Sequence, residues 1–231
     1  MPRFFAEITE YPKAVIADQL SIRHISGPLR KKRGDVLSIR DLFRGYEARI
    51  LSLESHCISL EILSEHELQD RCTRQIHLGL CIIDLKDMED AIRGATELGV
   101  ADIYPVISGR SNIRSISDAR HKRFQAIVLE AVKQCERKTI PTVHDVLTLA
   151  CFIHDSSRPW GERLVCLQGG KELDEKERES DLGVLIGPEG GFNPEETDMI
   201  LQAGFIPVSL GKTNLRAVTA TLAALSILGS S

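Results

Sequence analysis

Leu185-Ile186-Gly187-Pro188-Glu189-Gly190-Gly191-Phe192-Asn193-Pro194-Glu195-Glu196 is the stretch on which the fold turns. Val184-Leu185-Ile186 is an apolar strand pattern that runs straight into three glycines and a proline. A helix start follows at once. Asn193 is a good N-cap, Pro194 suits the first helical position, and Glu196 stands where a capping box needs it. A strand, a glycine turn and a helix, met at the carboxyl end of a strand, are where open α/β sheets bind ligands. Helix N-termini favour anions, but Glu189, Glu195 and Glu196 surround this turn, and no Lys or Arg lies between Arg178 and Lys212. The turn is neither a Walker loop nor a G-x-G-x-x-G fingerprint. Two readings stay open: a loop that holds a neutral or cationic ligand by its backbone, and a tight turn before a well-capped helix with no ligand.

Working outward, the spacing places strands at 163–167, 182–186 and 206–210. The last helix, 215–228, is apolar or small nearly all round, which suits burial in a core or at a subunit interface. Upstream, 76–83 reads as a strand, and Met88, Ala91, Ile92, Ala95 and Leu98 mark one face of a helix that Gly99 ends. A strand at 101–107 completes a βαβ unit, so a parallel sheet is expected from about residue 71. A long helix is expected from Ser117 to Cys135, with Phe124, Ile127, Val128, Ala131 and Cys135 on its inner face. Residues 171–181 read as an exposed acidic loop. Residues 1–70 have a different texture. Short alternations at 36–39, 48–53 and 57–62, separated by polar turns, suggest a small β-barrel.

The chain has 231 residues, 42% of them hydrophobic and 27% charged, and a net charge of −4. That composition is ordinary for a globular protein with a real core. The charge is unevenly spread. Arg23 to Arg49 holds eight basic residues against three acidic, and Arg110 to Lys138 again holds eight against three. The acidic balance falls in 162–198. Two basic windows in an acidic chain fit phosphate contacts to RNA over part of the surface, or solvated faces without a partner. Arg30-Lys31-Lys32-Arg33, set in the barrel segment, favours RNA. The six cysteines are scattered without C-x-x-C pairs, and no His pair has zinc-ligand spacing. They read as reduced thiols of a cytoplasmic protein without a metal site. The N-terminus lacks the apolar core of a signal peptide, and no run is long enough to span a membrane.

Taken together, Gly187-Pro188-Glu189-Gly190-Gly191-Phe192, Leu210-Gly211, Leu215-Arg216 and Thr219-Ala220 resemble the RsmE-type 16S rRNA methyltransferases of the SPOUT superfamily. Met1-Pro2-Arg3-Phe4, His24-Ile25 with Leu29-Arg30, Gly34-Asp35, Met88-Glu89, 95–100 with Pro105, Arg110-Ser111, and Glu130-Ala131 with Gln134, Arg137 and Pro141 extend the resemblance along the whole chain. It implies an α/β protein with a PUA-like RNA-binding β-barrel over 1–70. A trefoil-knotted SPOUT domain with a parallel sheet would follow over 71–231. It implies a cytoplasmic homodimer that uses S-adenosyl-L-methionine to methylate N3 of a uridine in 16S rRNA of the 30S subunit, with no metal and no membrane.

The resemblance assigns cofactor contacts to Ile186, Gly187, Pro188, Glu189, Gly190, Leu210, Gly211 and Leu215. RNA contacts fall to His24, Arg30, Lys31, Lys32, Arg33, Arg110 and Arg114. Uridine N3 must lose a proton, and negative charge develops on O2 and O4. A guanidinium stabilises such charge, which nominates Arg216 first and Arg137 second. Three positions depart from the family pattern. Ala217-Val218-Thr219 stands for Thr-Glu-Thr, Glu136 for a glycine, and Gly94 for a lysine. The missing carboxylate leaves the general base open. The alternatives are an RNA-binding assembly protein of this fold with weakened catalysis, and a SPOUT enzyme with another RNA target. A doubly wound phosphate-binding enzyme is disfavoured by the acidic turn.

Overall fold

The structure is a computed structural model that describes residues 3–67, 74–111, 113–135, 137–155, 160–174 and 180–229. The expected boundary at residue 70 lies outside them, as do Cys72 and the Glu136 departure. The chain divides into two compact units, 1–70 with 136–139, and 71–135 with 140–231.

The first unit is a six-stranded sheet in the order β1-β4-β5-β6-β3-β2. Its strands are β1 (Phe4–Phe5), β2 (Glu7–Glu10), β3 (Lys13–Ile16), β4 (Val36–Arg40), β5 (Arg44–Leu53) and β6 (Ile58–Glu67). β1 and β2 occupy opposite ends of that order, yet only Ala6 separates them in sequence. One residue spans about 3.8 Å, so the sheet must curl until its two ends nearly meet. The strand spacing led to the expectation of a small barrel, and the sheet takes a curled, half-barrel form. Alternate residues fill its interior, among them Ile16, Leu37, Ile39, Ala48, Ile50, Ile58 and Leu60, all nearly without exposure.

A helix interrupts what the sequence reads as a β-rich segment. α1 (Gln19–Ser26) is capped by Asp18, whose carboxylate accepts from Ser21 N at 2.8 Å. Only Ile22 and Ile25 face inward, too short a run for a helical period to show. His24 therefore sits on a helix, edge-on to Phe4 at 5.8 Å between ring centroids, and not on a barrel strand. The Arg30–Arg33 cluster likewise lies in the loop between α1 and β4.

The second unit is a parallel sheet running β10-β8-β7-β12-β11-β13, with β9 beside β8. It comprises β7 (Ile76–Cys81), β8 (Asp102–Ile107), β9 (Thr142–Val143), β10 (Leu147–Thr148), β11 (Glu162–Glu172), β12 (Leu182–Ile186) and β13 (Ile206–Ser209). β7 and β12, at its centre, are buried at every residue, as strands covered on both faces must be. α2 (Leu85–Glu97), α3 (Asp118–Cys135) and α6 (Ala217–Gly229) form one covering layer. α4 (Leu149–His154) and α5 (Pro194–Gln202) belong to the opposite core, where Leu149, Phe152, Trp160, Ile200 and Phe205 cluster against Cys81, Val165 and Leu185. The expected inner face of α3 is buried at Phe124, Ile127, Val128 and Ala131, the three larger side chains each worth up to about 3 kcal/mol, while Cys135 is half-buried.

From β13, at the sheet edge, the chain turns back through 210–216 to α6, which packs on β7, β12 and α2 at the centre. α6 starts at Ala217, so Leu215 and Arg216 precede it instead of opening it. It has a buried face, Ala217, Ala220, Thr221, Ala224, Leu225 and Leu228, and an opposite side that solvent reaches.

Candidate functional site

All the strands of a parallel sheet point one way, so the loops after β8, β12, β11 and β13 gather at one edge. The glycine loop follows β12. Pro188 O accepts from Gly191 N at 2.8 Å, and Gly191 takes φ +66°. α5 then begins with the capping box read from the sequence: Asn193 Oδ1 accepts from Glu196 N at 2.8 Å, and Glu196 Oε2 accepts from Asn193 N at 3.0 Å. Glu196 is only 7% exposed. Its other oxygen accepts from Gly109 N in the loop after β8. A buried carboxylate with both oxygens bonded ties the two loops together.

The charge reading of the glycine turn needs correction here. Sequence places no cation near it, but Arg110 reaches across from the β8 loop and its Nη1 donates to Gly190 O at 2.6 Å. Arg114 Nη1 and Nη2 donate to Ser108 O at 2.9 Å and Gly109 O at 2.8 Å. Both arginines, assigned to RNA by resemblance, brace this edge while remaining exposed. Further along the same basic window, Arg120 and Arg123 pair with Glu89 of α2 at 2.8 and 3.4 Å. That window is therefore largely spent on internal bonds.

A pocket opens at this edge between β11 and the 210–216 loop. Leu210, Gly211 and Leu215 line it, as expected of cofactor residues, together with Cys166, Gln168 and Asn214. The last three were not singled out by sequence. Ile186, Gly187, Pro188, Glu189 and Gly190 do not line it; they form the neighbouring loop at the end of β12, where Ile186 and Pro188 are buried and Glu189 is exposed. Gly211 has φ +125°, a conformation that other residues rarely adopt, and space stands open where a side chain would project. Ser209 Oγ donates to Gly211 O at 3.0 Å and sharpens the turn. Burial pushes the Cys166 thiol up to about 12, so it stays protonated near neutrality and is no nucleophile.

Arg216, two residues beyond Asn214, is exposed, and among the described residues its side chain makes no hydrogen bond or ion pair. Arg137 falls in the other unit, half-buried, with Nη2 donating to Thr139 Oγ1 at 3.0 Å. The two nominated arginines thus belong to separate units. Val218, in the first turn of α6, offers no base. Thr219 is exposed, and Thr221 Oγ1 donates back along the helix to Ala217 O at 2.8 Å.

In the first unit, Arg23, Arg30, Lys32 and Arg33 are exposed and carry no ion pair among the described residues. Lys31 is half-buried, its Nζ donating to Val36 O at 3.0 Å. Arg30 holds φ +48°, a strained value for a side-chain-bearing residue. Glu54, His56 and Cys57, in the turn between β5 and β6, are close enough to share a metal ion. No described helix is long and apolar enough to cross a membrane.

Comparison with known proteins places this architecture. The RNA methyltransferase domain family matches residues 70–229. The ribosomal RNA small subunit methyltransferase E of Synechocystis sp. is 30% identical over 213 residues, 89% of this chain and 69% of that protein. The protein of that name from Aquifex aeolicus is 31% identical over 188 residues, 79% and 80% of the two chains. The crystal structure of a ribosomal RNA small subunit methyltransferase E from Neisseria gonorrhoeae, bound to S-adenosyl methionine, superposes with a TM-score of 0.76 at 29% identity, covering 98% of this chain and 95% of that one. A Legionella pneumophila structure in complex with bound SAM gives a TM-score of 0.75 at 26% identity, covering 97% and 95%. The curled sheet and the all-parallel sheet agree with these relatives, and the chain belongs to the RsmE-type family of small-subunit ribosomal RNA methyltransferases, with their SPOUT-type fold.

Proposed function

We propose that this protein transfers a methyl group from S-adenosyl-L-methionine to N3 of a uridine in 16S rRNA of the small ribosomal subunit. The observation that carries the reading is the pocket walled by Leu210, Gly211 and Leu215 beside the exposed Arg216. The walls suit the cofactor. Leu210, Leu215 and Ala220 offer apolar surface to an adenine ring, Gly211 exposes backbone, and among the described residues no basic side chain lines the pocket to repel a sulfonium.

When bound, the cofactor supplies an electrophilic methyl group on a sulfonium. The chain's own part is positioning and charge. The pocket backbone orients the ligand. Arg216 stabilises the negative charge that spreads onto the uracil oxygens as N3 loses its proton. Solvent takes that proton, since Val218 cannot, and Glu189 shapes the glycine loop. Arg137 is the second candidate for that role.

Residues 1–70 act as the RNA-binding domain through Arg30, Lys32 and Arg33, with His24 and Lys31 beside them, and 71–231 as the transferase. Val218, Ala223 and Ile227, off the buried face of α6, are half-buried. They supply the surface of a homodimer. A ribosomal-subunit substrate supports a cytoplasmic location, and no step requires a metal.

Labelled S-adenosylmethionine with 30S subunits lacking the modification tests the reading, followed by nucleoside analysis. N3-methyluridine in 16S rRNA is the expected product. Binding to 30S without transfer would favour the second reading, an assembly protein, for which the Val218 substitution speaks. Replacing Arg30, Lys32 and Arg33 together by Ala is expected to reduce the slope of log K against log salt for 30S binding by about 3, roughly 0.9 for each phosphate left without its cation. An unchanged slope in a salt titration would show that the cluster does not meet phosphates.

A further inference from the structure

The segment from Leu210 to Arg216 is exposed from Gly211 onward and belongs to no helix or strand. Its hydrogen bonds are few. Ser209 brackets Gly211 locally, and Arg216 O accepts from Ala220 N at 2.8 Å at the head of α6. Among the described residues, a single hydrogen bond ties the segment to a distant part of the chain: Gln168 Nε2 donates to Asn214 Oδ1.

The partner is equally irregular. β11 pairs with β13 through Cys166 and Val208, then again through Lys171 and the same Val208. Residues 167–170 therefore leave the ladder as a bulge, with Gly169 at φ +76°. Bulges re-aim side chains, and this one carries Gln168 to the pocket wall opposite Asn214. Two segments outside the regular ladder thus meet through one amide–amide bond over the pocket, and the second leads into Arg216.

We propose that Gln168 and Asn214 are positioning residues, a clamp that fixes the 210–216 wall of the cofactor pocket and with it the placement of Arg216. The inference rests on the methyltransferase reading. Neither side chain performs chemistry. Without the bond the exposed segment samples more conformations, and ordering it becomes a cost of binding and of reaching the transition state.

The test is titration calorimetry with S-adenosylmethionine, together with 30S methylation kinetics, on wild type, Gln168→Ala, Asn214→Ala, the double variant, and the swapped pair Gln168→Asn with Asn214→Gln. Each single variant is expected to weaken cofactor binding about three- to tenfold, the scale of one hydrogen bond, and to lower kcat. Thermal midpoints stay at the wild-type value, because both side chains are exposed. The double variant is no weaker than either single, since one bond is removed in each case. The swapped pair keeps the combined length and both amides, and is expected to return to within about twofold of wild type. Singles with wild-type affinity and kcat, single effects that multiply in the double, or a swapped pair as weak as the singles overturn the clamp. A wild-type protein without affinity for the cofactor overturns the methyltransferase reading and the clamp with it, whereas wild-type binding with unaltered variants overturns the clamp alone.

Discussion

Arg216→Ala is expected to lower kcat for methyl transfer by about 100- to 1,000-fold, the loss typical when one donor to a developing oxyanion is removed. Cofactor affinity should stay near that of wild type. The segment around Arg216 lines the pocket through Leu210, Gly211 and Leu215, whereas Arg216 is absent from its walls. The side chain is exposed and without a hydrogen-bond or ion-pair partner among the described residues, so its removal breaks no internal bond and the thermal midpoint should hold. Arg216→Lys keeps the charge but loses the planar fork that meets two acceptors at once, and should recover only part of the rate. Single-turnover kinetics on 30S subunits, beside calorimetry with the cofactor, reads both quantities. A fall in affinity that accounts for the whole loss of rate would move Arg216 from the chemistry to the cofactor, and an unchanged rate would leave Arg137 as the arginine to test.

What the sequence made legible was local. The glycine turn and the Asn193–Glu196 capping box need residues within a few positions of one another, and they formed as read. The βαβ unit from β7 to β8 also appears at its expected place, because thirteen residues of α2 give the apolar period room to show. Distance hid the rest. Arg110 on Gly190, and Glu196 on Gly109, join positions 80 and 87 apart. No spacing rule reaches that far, so a turn without cations in sequence gains one in space. The β11 bulge was equally hidden, since Gly169-Gly170 after a strand pattern reads as its end. α1, β9, β10 and α4 are too short to carry a period. The Gly94 departure has a reason in packing. A Cβ there would stand 2.2 Å from Leu222 Cδ2, so α2 and α6 pack closely at Gly94 and a larger residue would make the Leu222 side chain turn aside. Nothing in the structure explains Val218 in place of a carboxylate.

Asp102→Asn is the second large effect, on stability and its pH dependence. Asp102 opens β8, and its two oxygens take up both His77 Nδ1 and His144 Nε2 at 2.8 Å. Tyr104 stacks on His144 at 4.1 Å between ring centroids, and His77 lies against Trp160 at 5.8 Å. Burial pushes the Asp102 carboxyl up, but the hydrogen bonds from His144 and His77, with their charge, outweigh it and hold the group well below its ordinary value of 3.8. A carboxylate depressed in the folded state stabilises fully above its unfolded pKa, and the contribution drains away as pH falls from there through the folded value. The amide keeps the shape but loses the charge and one acceptor, a cost of about 1–3 kcal/mol near neutrality. Urea unfolding of both proteins below about pH 5 should show a gap that holds to about pH 4 and narrows beneath it. A gap that stayed constant to about pH 2.5 would place the stabilisation in shape and not in charge. His77 and Asp102 stand at the amino ends of β7 and β8, the edge opposite the pocket and Arg216. Below its melting point the variant should therefore methylate at close to the wild-type rate, which separates what holds this sheet together from what the other edge does.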